Sequence, residues 1–406
     1  MKKMGMLPKL LIGAVAGILV GLLINNLTKE GSNTIISSMM SFIAGVIGTY
    51  TTLFGSFLKF IVPLIILGLI IPAIADLGKK AGKMLTFTTV LSYLSSIIAG
   101  FSAYIIGTII IPIILKGIKL PSSIEESTKK SIFDTFIPLD LGQIMGAMTA
   151  IALAFLIGLG LAYLKEENLK KVTMEFKEIV EKTLVKFVIP FIPFHIAGLF
   201  AKLAGEGKIV PVIKMFSLLF LLIIIVQILC ILAQYVVACI YGKKPYFKSI
   251  KNMLPAYLTA VGTQSSAATI PVTLVSTEKN GISEDVKDFV IPLCANIHLS
   301  GDTITLVLGA MGIMYVTGSP IIQPIIGMQY ILLLGVTMVA APGIPGGGVV
   351  TALGLLQSLL RMDPSQQALM IALHFSQDSF GTATNVTGDG ALAIIVDEKT
   401  KKINMR

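Results

Sequence analysis

The residues best suited to chemistry lie in one apolar segment, residues 371–397. At about 100° per residue, six of them fall within one stripe of roughly 100° on a helical projection. They are His374, Asp378, Gly381, Thr382, Asn385 and Asp389. Mostly apolar residues occupy the opposite side, which predicts packing against lipid or protein. An ionised Asp at the centre of a membrane helix costs about 2.5–3.5 kcal/mol, so two on one stripe predict a polar cavity that holds a solute.

The composition predicts that this segment belongs to an all-α polytopic membrane protein. Of 406 residues, 54% are hydrophobic and 13% charged, and the mean hydropathy is +0.88. Soluble proteins carry about a quarter of charged residues. Residues 84–115, 141–164 and 215–242 lack Asp, Glu, Lys and Arg, and each exceeds the roughly 20 residues that cross a hydrocarbon core. This pattern disfavours a helix from a soluble enzyme with a solvated acidic face.

The lysines indicate orientation rather than a nucleic-acid surface, because the net charge of +10 is dispersed over short loops. They cluster in alternate loops, at Lys2 and Lys3, then Lys79, Lys80 and Lys83, then Lys165, Lys170 and Lys171, then Lys243, Lys244 and Lys248. By the positive-inside rule, these loops and both termini are predicted to be cytoplasmic, in a plasma or inner membrane. The first apolar segment lacks a small-x-small cleavage site and is predicted to remain as a span.

No organic cofactor is predicted. Cys230, Cys239 and Cys294 lie in apolar runs, where they indicate packing rather than a disulfide framework or a metal site. The chain has no GxGxxG or Walker loop for a nucleotide.

The first two thirds of the chain predict ordinary spans, and the last third predicts broken ones. The ordinary spans are 7–27, 47–75, 84–113, 136–164, 175–204 and 209–241. Residues 303–360 are uncharged but are interrupted by TGSPIIQP and APGIPGGGVV. A turn at the second interruption leaves arms 328–340 and 349–360, each about 20 Å long against a core of about 30 Å. Such arms predict a helical hairpin that enters and leaves by one face.

Another interruption, within residues 252–277, is similar to the one at APGIPGGGVV. Its Thr269, Ile270 and Pro271 parallel Gly343, Ile344 and Pro345, and each precedes a polar-bearing helix, 284–314 or 364–397. Weak symmetry of this kind is typical of inverted repeats in secondary transporters, whose sites lie where hairpin tips and discontinuous helices meet. Proline-rich loops between ordinary spans are the alternative explanation.

Four motifs occur together in this chain, with LKFIVP at 58–63 before them. They are QSSAATIP at 264–271, IPLCANIHLSGDT at 291–303, GIPGGG at 343–348 and NVTGD at 385–389. In this order they resemble the dicarboxylate/amino acid:cation symporter family, the fold of glutamate and neutral amino acid transporters. The resemblance covers nearly the whole chain. It implies eight transmembrane helices plus two re-entrant helical hairpins, inverted repeats, and a homotrimeric elevator-type transporter.

The resemblance also implies a division into a scaffold and a mobile transport core that carries the substrate, driven by co-transported cations. Scaffold helices 1 and 2 fall in residues 1–82, and scaffold helices 4 and 5 in 136–208. The core takes the third span with an outer loop in 83–135 and the sixth span in 209–245. Both hairpins and helices 7 and 8 fall in 246–406.

Several positions match the family's substrate site. Asp378 matches the aspartate that holds the substrate ammonium, and Asn385 the asparagine that hydrogen-bonds its carboxylate. Thr382 matches a hydroxyl that faces the substrate. The first hairpin tip matches Ser265, Ser266 and the backbone near Ala267; the second tip, a gate, matches Gly343, Ile344, Pro345 and Gly346 through Gly348. Alternatively, the two serines only cap a helix.

The residue chemistry favours the same substrate class. A zwitterionic amino acid needs an anion for its ammonium and neutral donors for its carboxylate. Asp378 and Asn385 lie two turns apart on one face. Hairpin tips offer backbone N–H groups to a carboxylate, so no Arg or Lys is needed there.

Gly381 departs from the pattern of the family's acidic-substrate members, which carry an arginine at this position. Without that cation a second substrate carboxylate would be buried unpaired, at a cost of several kcal/mol. We therefore predict a neutral amino acid, such as Ser, Ala, Thr or a larger one, with basic or sulfur-containing substrates as open alternatives.

The cation sites depart from the family as well. Aligned on Gly301, its Asn-Met-Asp-Gly-Thr motif becomes His298, Leu299, Ser300, Gly301 and Asp302. Thr88 and Ser92 are possible oxygen ligands on the third span, where Leu91 replaces another. Asp389 and the backbone of Asn385 retain the core of one sodium site. The predicted sodium ligands are Asn385, Asp389, His298 and Ser300.

A proton is the alternative coupling ion. His298 with Asp302, or His374 one turn from Asp378, could carry it, since histidine titrates near physiological pH. Neutral histidines held by hydrogen bonds are the simpler interpretation. Other readings are a dicarboxylate or other small-anion carrier of the same fold, a cation-independent exchanger, a passive channel, and a hydrolase that uses Ser265 or Ser266 with His298 and Asp378.

Overall fold

The computed structural model describes residues 6–28, 34–79, 83–120, 131–137, 139, 141–164, 168–320, 322–341 and 345–404. Within these ranges the chain forms helices and no β-strand, as the predicted all-α class requires. The helices are α1 Met6–Leu27, α2 Thr34–Lys79, α3 Lys83–Ile114, α4 Ala147–Tyr163, α5 Asn168–Thr183, α6 Ile189–Gly205, α7 Ile209–Gly242, α8 Tyr246–Thr263, α9 Ser266–Glu278, α10 Glu284–Ile297, α11 Ser300–Val316, α12 Pro324–Val339, α13 Gly347–Ser358 and α14 Pro364–Asn404. One π-helical turn, Leu184–Val188, joins α5 to α6.

In the described part of the chain, six helical segments are long and apolar enough to cross a membrane. They lie in α1, α2, α3, the continuous run from α5 to α6, α7, and the run from α10 to α11. Helices α4, α12 and α13 are apolar but shorter. The chain is therefore a multi-pass membrane protein, in agreement with its composition.

Two of the predicted spans have different bounds in the structure. The span predicted at 47–75 is part of α2, which has 46 residues and contains Pro63 and Pro72. At about 1.5 Å per residue α2 is about 70 Å long, more than twice the hydrocarbon core. The span predicted from 136 begins only at Ala147. Residues 141–146 are not helical, and among them Gly142, at φ +66°, adopts a left-handed conformation.

Both predicted hairpins correspond to pairs of short helices that pack together, α8 with α9 and α12 with α13. The first pair breaks at Gln264, which has φ +53°. The second pair reaches its turn at Gly346, with φ +74°, close to the predicted arms 328–340 and 349–360. We call α8–α9 hairpin 1 and α12–α13 hairpin 2.

The helix predicted at 284–314 is in fact two helices, α10 and α11. The backbone leaves the helical conformation at His298 and Leu299, with φ and ψ of −108° and 98°, and −123° and 50°. A break frees backbone amides at the start of α11, and one of them, Gly301 N, donates to Asn385 Oδ1 at 2.7 Å. The side chain from α14 therefore compensates for the lost helical hydrogen bond.

Helix α14 lies at the centre of the bundle that carries the polar residues. It packs against α7, α8, α10 and α11, and nearly every residue from 371 to 394 is buried. The apolar face of α14, opposite the predicted polar stripe, thus packs against protein. The stripe itself faces α11, because a Cβ on Gly301 would overlap the carbonyl oxygen of Gly381.

Helices α1 and α6 make the other close contact, through glycines spaced four residues apart. A Cβ on Gly17 would overlap the carbonyl oxygen of Ala197, and one on Gly21 that of Ala201. Small residues at this spacing allow membrane helices to approach closely.

We expect Gly17→Leu to separate α1 from α6 and to destabilise the protein by about 1–3 kcal/mol, the usual cost of overpacking. Thermal unfolding of the purified protein, followed by loss of the monodisperse peak, measures the effect. Gly160→Leu is the matched control, because nothing lies within 4 Å of the added Cβ. Equal melting temperatures for Gly17→Leu and the control would contradict the assigned contact.

Candidate functional site

A small cavity lies between hairpin 1, α10, α11, hairpin 2 and α14. Its volume is about 20 Å³, room for roughly one or two water molecules. The residues that line it are Gln264, Ser266, Ala295, Leu299, Asp302, Ala341, Gly348, Asp378, Thr382 and Asn385. The structure thus brings Ser266, Asp378, Thr382 and Asn385, four of the residues predicted to contact substrate, to one place.

Asp378 is held by the turn of hairpin 2. The backbone N–H of Gly346 donates to Asp378 Oδ2 at 3.0 Å. Gly346 needs to be glycine for two reasons: its φ is +74°, and a Cβ there would overlap the ring of Phe375. The backbone of the turn can therefore reach the carboxylate of Asp378 only if residue 346 has no side chain.

Asn385 joins α14 to α11 with both ends of its amide. Its Oδ1 accepts from Gly301 N, and its Nδ2 donates to Asp302 Oδ2 at 2.6 Å. The second hydrogen on Nδ2 is left for another acceptor, which is the capacity that the predicted contact with a substrate carboxylate requires.

Asp302 and His374 form the first of two buried His–Asp pairs. His374 Nε2 lies 2.9 Å from Asp302 Oδ1. Among the described residues neither ring nitrogen of His374 has a well-aligned hydrogen bond. One ligand atom from each of Asp302, His374 and Asp378 lies within 4.8 Å of the others, so the cavity has two carboxylates and an imidazole at one end.

His298 and Asp389 form the second pair, deeper in the protein. His298 Nδ1 lies 2.9 Å from Asp389 Oδ1, and both side chains are fully buried. His298 Nε2 lies 3.0 Å from Ser95 Oγ on α3. The predicted pairing of His298 with Asp302 is therefore wrong: each residue pairs with α14 instead, because the break between α10 and α11 separates their side chains.

Because both ring nitrogens of His298 have partners, the structure disfavours the hydrolase hypothesis. That reading requires the imidazole against Ser265 or Ser266, but Asp389 and Ser95 hold it. Ser265 Oγ accepts from Ala268 N at 3.3 Å and thereby caps α9. The geometry of a nucleophile and its base is not formed here.

The first hairpin tip reaches the cavity through two residues, Ser266 and Gln264. Gln264 Nε2 donates to Ser379 Oγ on α14 at 2.9 Å. Ala267 is exposed and does not line the cavity. In the second tip, Pro345 is half-buried beside Gly346, and Gly343 and Ile344 lie outside the described residues.

The predicted sodium ligands are only partly suited to a hard cation. Asp389 Oδ2 and the buried Thr88 Oγ1 have no hydrogen-bond partner among the described residues, and such oxygens fit sodium. Imidazole nitrogen is a poor ligand for it, and His298 occupies the other oxygen of Asp389. Ser92 Oγ lies 3.5 Å from Cys294 Sγ.

Gln234 was not singled out from the sequence but connects this region. Its Nε2 donates to Ser95 Oγ at 2.9 Å and to Ser300 Oγ at 3.3 Å. The sequence signal was available, because Gln234 is one of two glutamines in the uncharged stretch 215–242. A lone amide in an apolar span indicates a polar neighbour.

Comparison with known proteins identifies the family. The sequence model described as the sodium:dicarboxylate symporter family matches residues 6–399. The chain belongs to this family. The resemblance found in the motifs is confirmed, and the protein is a membrane transporter of the symporter class.

Two known transporters are similar to this chain over most of their length. A protein of Acinetobacter baylyi named serine/threonine transporter SstT is 26% identical, with 98% of each chain covered. One of the same name from Streptococcus suis is also 26% identical, over 86% of this chain and 94% of its own.

We expect Gly346→Ala to reduce substrate affinity and transport, since the added Cβ pushes the turn of hairpin 2 away from Asp378. Gly318→Ala is the matched control: Gly318 has φ +69° but nothing within 4 Å of its Cβ position. Both variants carry the left-handed backbone cost, about 1–3 kcal/mol. Binding assays on both proteins measure the difference, and equal losses would refute a specific role for the turn.

Proposed function

We propose that the protein is a secondary active transporter that imports a neutral amino acid coupled to a cation. The charge of the cavity carries this proposal. Two carboxylates, Asp302 and Asp378, line it, and no Lys or Arg does so among the described residues. A ligand of this cavity must therefore bring its own positive charge, as the ammonium of an amino acid does.

The two ends of the amino acid have distinct partners in this arrangement. Asp378 receives the ammonium. The carboxylate receives hydrogen bonds from Asn385 Nδ2, from the hydroxyls of Ser266 and Thr382, and from the N-terminal backbone of α9. The names of the two SstT relatives favour serine or threonine as the substrate.

Hairpin 2 is the proposed gate, because Gly346 and Gly348 lie against the carboxylates and the cavity is too small for an amino acid unless the hairpin moves. We further propose the scaffold and transport core of the sequence analysis, an elevator motion, a homotrimer, and cytoplasmic termini in the cell membrane.

A dicarboxylate carrier of the same fold is the main alternative. The cavity disfavours it, because a substrate with two carboxylates would face Asp302 and Asp378 with one ammonium or none. Burial of unpaired like charges costs several kcal/mol. A cation-independent exchanger is the other alternative, given the imperfect sodium ligands.

The coupling ion is sodium or a proton. The unpartnered oxygens of Asp389 and Thr88 support sodium. The buried pairs His298–Asp389 and His374–Asp302 support a proton, because ionisable residues paired inside a membrane protein are typical of proton relays in transporters.

Uptake into proteoliposomes tests the function. Labelled amino acids are supplied under an inward sodium gradient, an inward proton gradient, or neither. We expect one gradient to drive accumulation of neutral amino acids above the level without a gradient, and the effective gradient names the coupling ion. Exchange without accumulation under either gradient would favour the exchanger. Aspartate or glutamate transported as well as a neutral substrate would overturn the neutral assignment.

Asp378→Asn should lower the affinity for a neutral amino acid about 10- to 150-fold, because a hydrogen bond to a charged group contributes about 1.5–3 kcal/mol. Binding to the purified protein measures the loss. Asp397→Asn is the control: this buried carboxylate accepts from Ser283 Oγ at 2.6 Å and pairs with Lys401, outside the cavity. A similar loss in both variants would mean that Asp378 is only structural.

A further inference from the structure

At one end of the cavity, a carboxylate oxygen of Asp302 lies beside two glycines. Asp302 Oδ1 lies 3.7 Å from the Cβ position of Gly381 and 3.0 Å from that of Gly348. Two glycines, one on α14 and one on hairpin 2, therefore face the same carboxylate oxygen. Side chains at these positions would cover it.

The position of Gly381 indicates which part of a substrate this carboxylate would contact. Acidic-substrate members of the family carry an arginine there, which pairs with the substrate's side-chain carboxylate. Here the cationic side chain is missing, and the charged group nearest to its place is Asp302. Where the substrate's side chain would lie, this chain therefore offers a hydrogen-bond acceptor, Asp302, in place of the arginine donor.

Asp302 is fixed in place but not saturated. Oδ2 accepts from Asn385 Nδ2 at 2.6 Å, and Oδ1 lies 2.9 Å from His374 Nε2. A carboxylate offers about four lone-pair positions, so Oδ1 retains capacity for one more donor. The oxygen with that capacity is the one beside Gly381 and Gly348.

We propose that Asp302 is the specificity-determining residue of the amino acid site, and that it accepts a hydrogen bond from the side-chain hydroxyl of a small hydroxy amino acid. This inference rests on the proposed function. It makes the substrate's side chain a required donor, in addition to the ammonium on Asp378.

A hydroxyl fits this position better than a basic side chain does. Asn385 already donates to Asp302 and His374 lies beside it, so one further neutral donor can complete the surroundings of this carboxylate. Ala295, Leu299 and Ala341 are apolar residues of the cavity wall, and their side chains offer no acceptor for the further hydrogens of an ammonium or guanidinium group.

Substrate analogues test the proposal on the unaltered protein. Serine is compared by competition binding with 2-aminobutyrate, which replaces the hydroxyl by a methyl group, and with O-methylserine, which lacks the donor hydrogen. We expect serine to bind at least about tenfold more tightly than either, since the lost bond involves a charged acceptor. Equal binding of serine and 2-aminobutyrate would overturn the proposal.

Variants assign the preference to Asp302. In Asp302→Ala the ratio of serine to 2-aminobutyrate affinity should fall to within about twofold, and in Asp302→Asn, which keeps an acceptor oxygen, to an intermediate value. Asp397→Asn should leave the ratio unchanged. Each ratio is taken within one preparation, so partial misfolding does not alter it. An unchanged ratio in Asp302→Ala would reject Asp302 as the acceptor.

The same panel separates this inference from the proposed function. Alanine and serine binding equally well, in every variant, would leave a neutral amino acid transporter without the proposed acceptor. Preference for lysine would overturn the hydroxyl assignment. Binding of succinate but of no neutral amino acid would reject the proposed function itself. If Asp302→Ala does not fold, the analogue series on the unaltered protein decides the requirement for a donor.

Discussion

The structure depends on placing the carboxylates of Asp302, Asp378 and Asp389 inside an apolar helical bundle. An unpaired buried charge is too costly to keep, so each carboxylate must find a partner on another element. The solution is reciprocal: α14 supplies His374 and Asp389, and the break between α10 and α11 supplies Asp302 and His298. Each histidine meets the aspartate of the other element. Two such contacts at separate heights fix the position of α14 along α11.

This pairing explains why the α10–α11 segment is broken. In a continuous helix, His298 and Asp302 would lie one turn apart on one face and could pair with each other. The irregular backbone at His298 and Leu299 turns the two side chains to different partners on α14. The amide of Gly301, freed by the break, is satisfied by Asn385, which also holds Asp302. Asn385 therefore provides a hydrogen-bond partner both for the free backbone amide and for the buried carboxylate.

The sequence was sufficient for features that depend on local pattern. The stripe on α14 follows from helical periodicity, and the hairpins follow from arms too short to span a bilayer. The sequence was insufficient for features that depend on contacts between residues far apart in the chain. No proline or glycine occupies the break at His298 and Leu299, so it has no local signal. The pairing of His298 with Asp389 joins residues 91 apart in sequence, and only the tertiary structure selects it over Asp302.

In the proposed function, substrate binding and the position of hairpin 2 both involve Asp378. Gly346 N–H donates to Asp378, and Gly348 lies against Asp302. A substrate ammonium at Asp378, as proposed, would compete with Gly346 N–H for this acceptor or share it. A ligand shifts a conformational equilibrium only by its difference in affinity for the two states. In the proposed function, Asp378 both binds the substrate ammonium and accepts from the turn of hairpin 2, so substrate binding would shift the position of that turn.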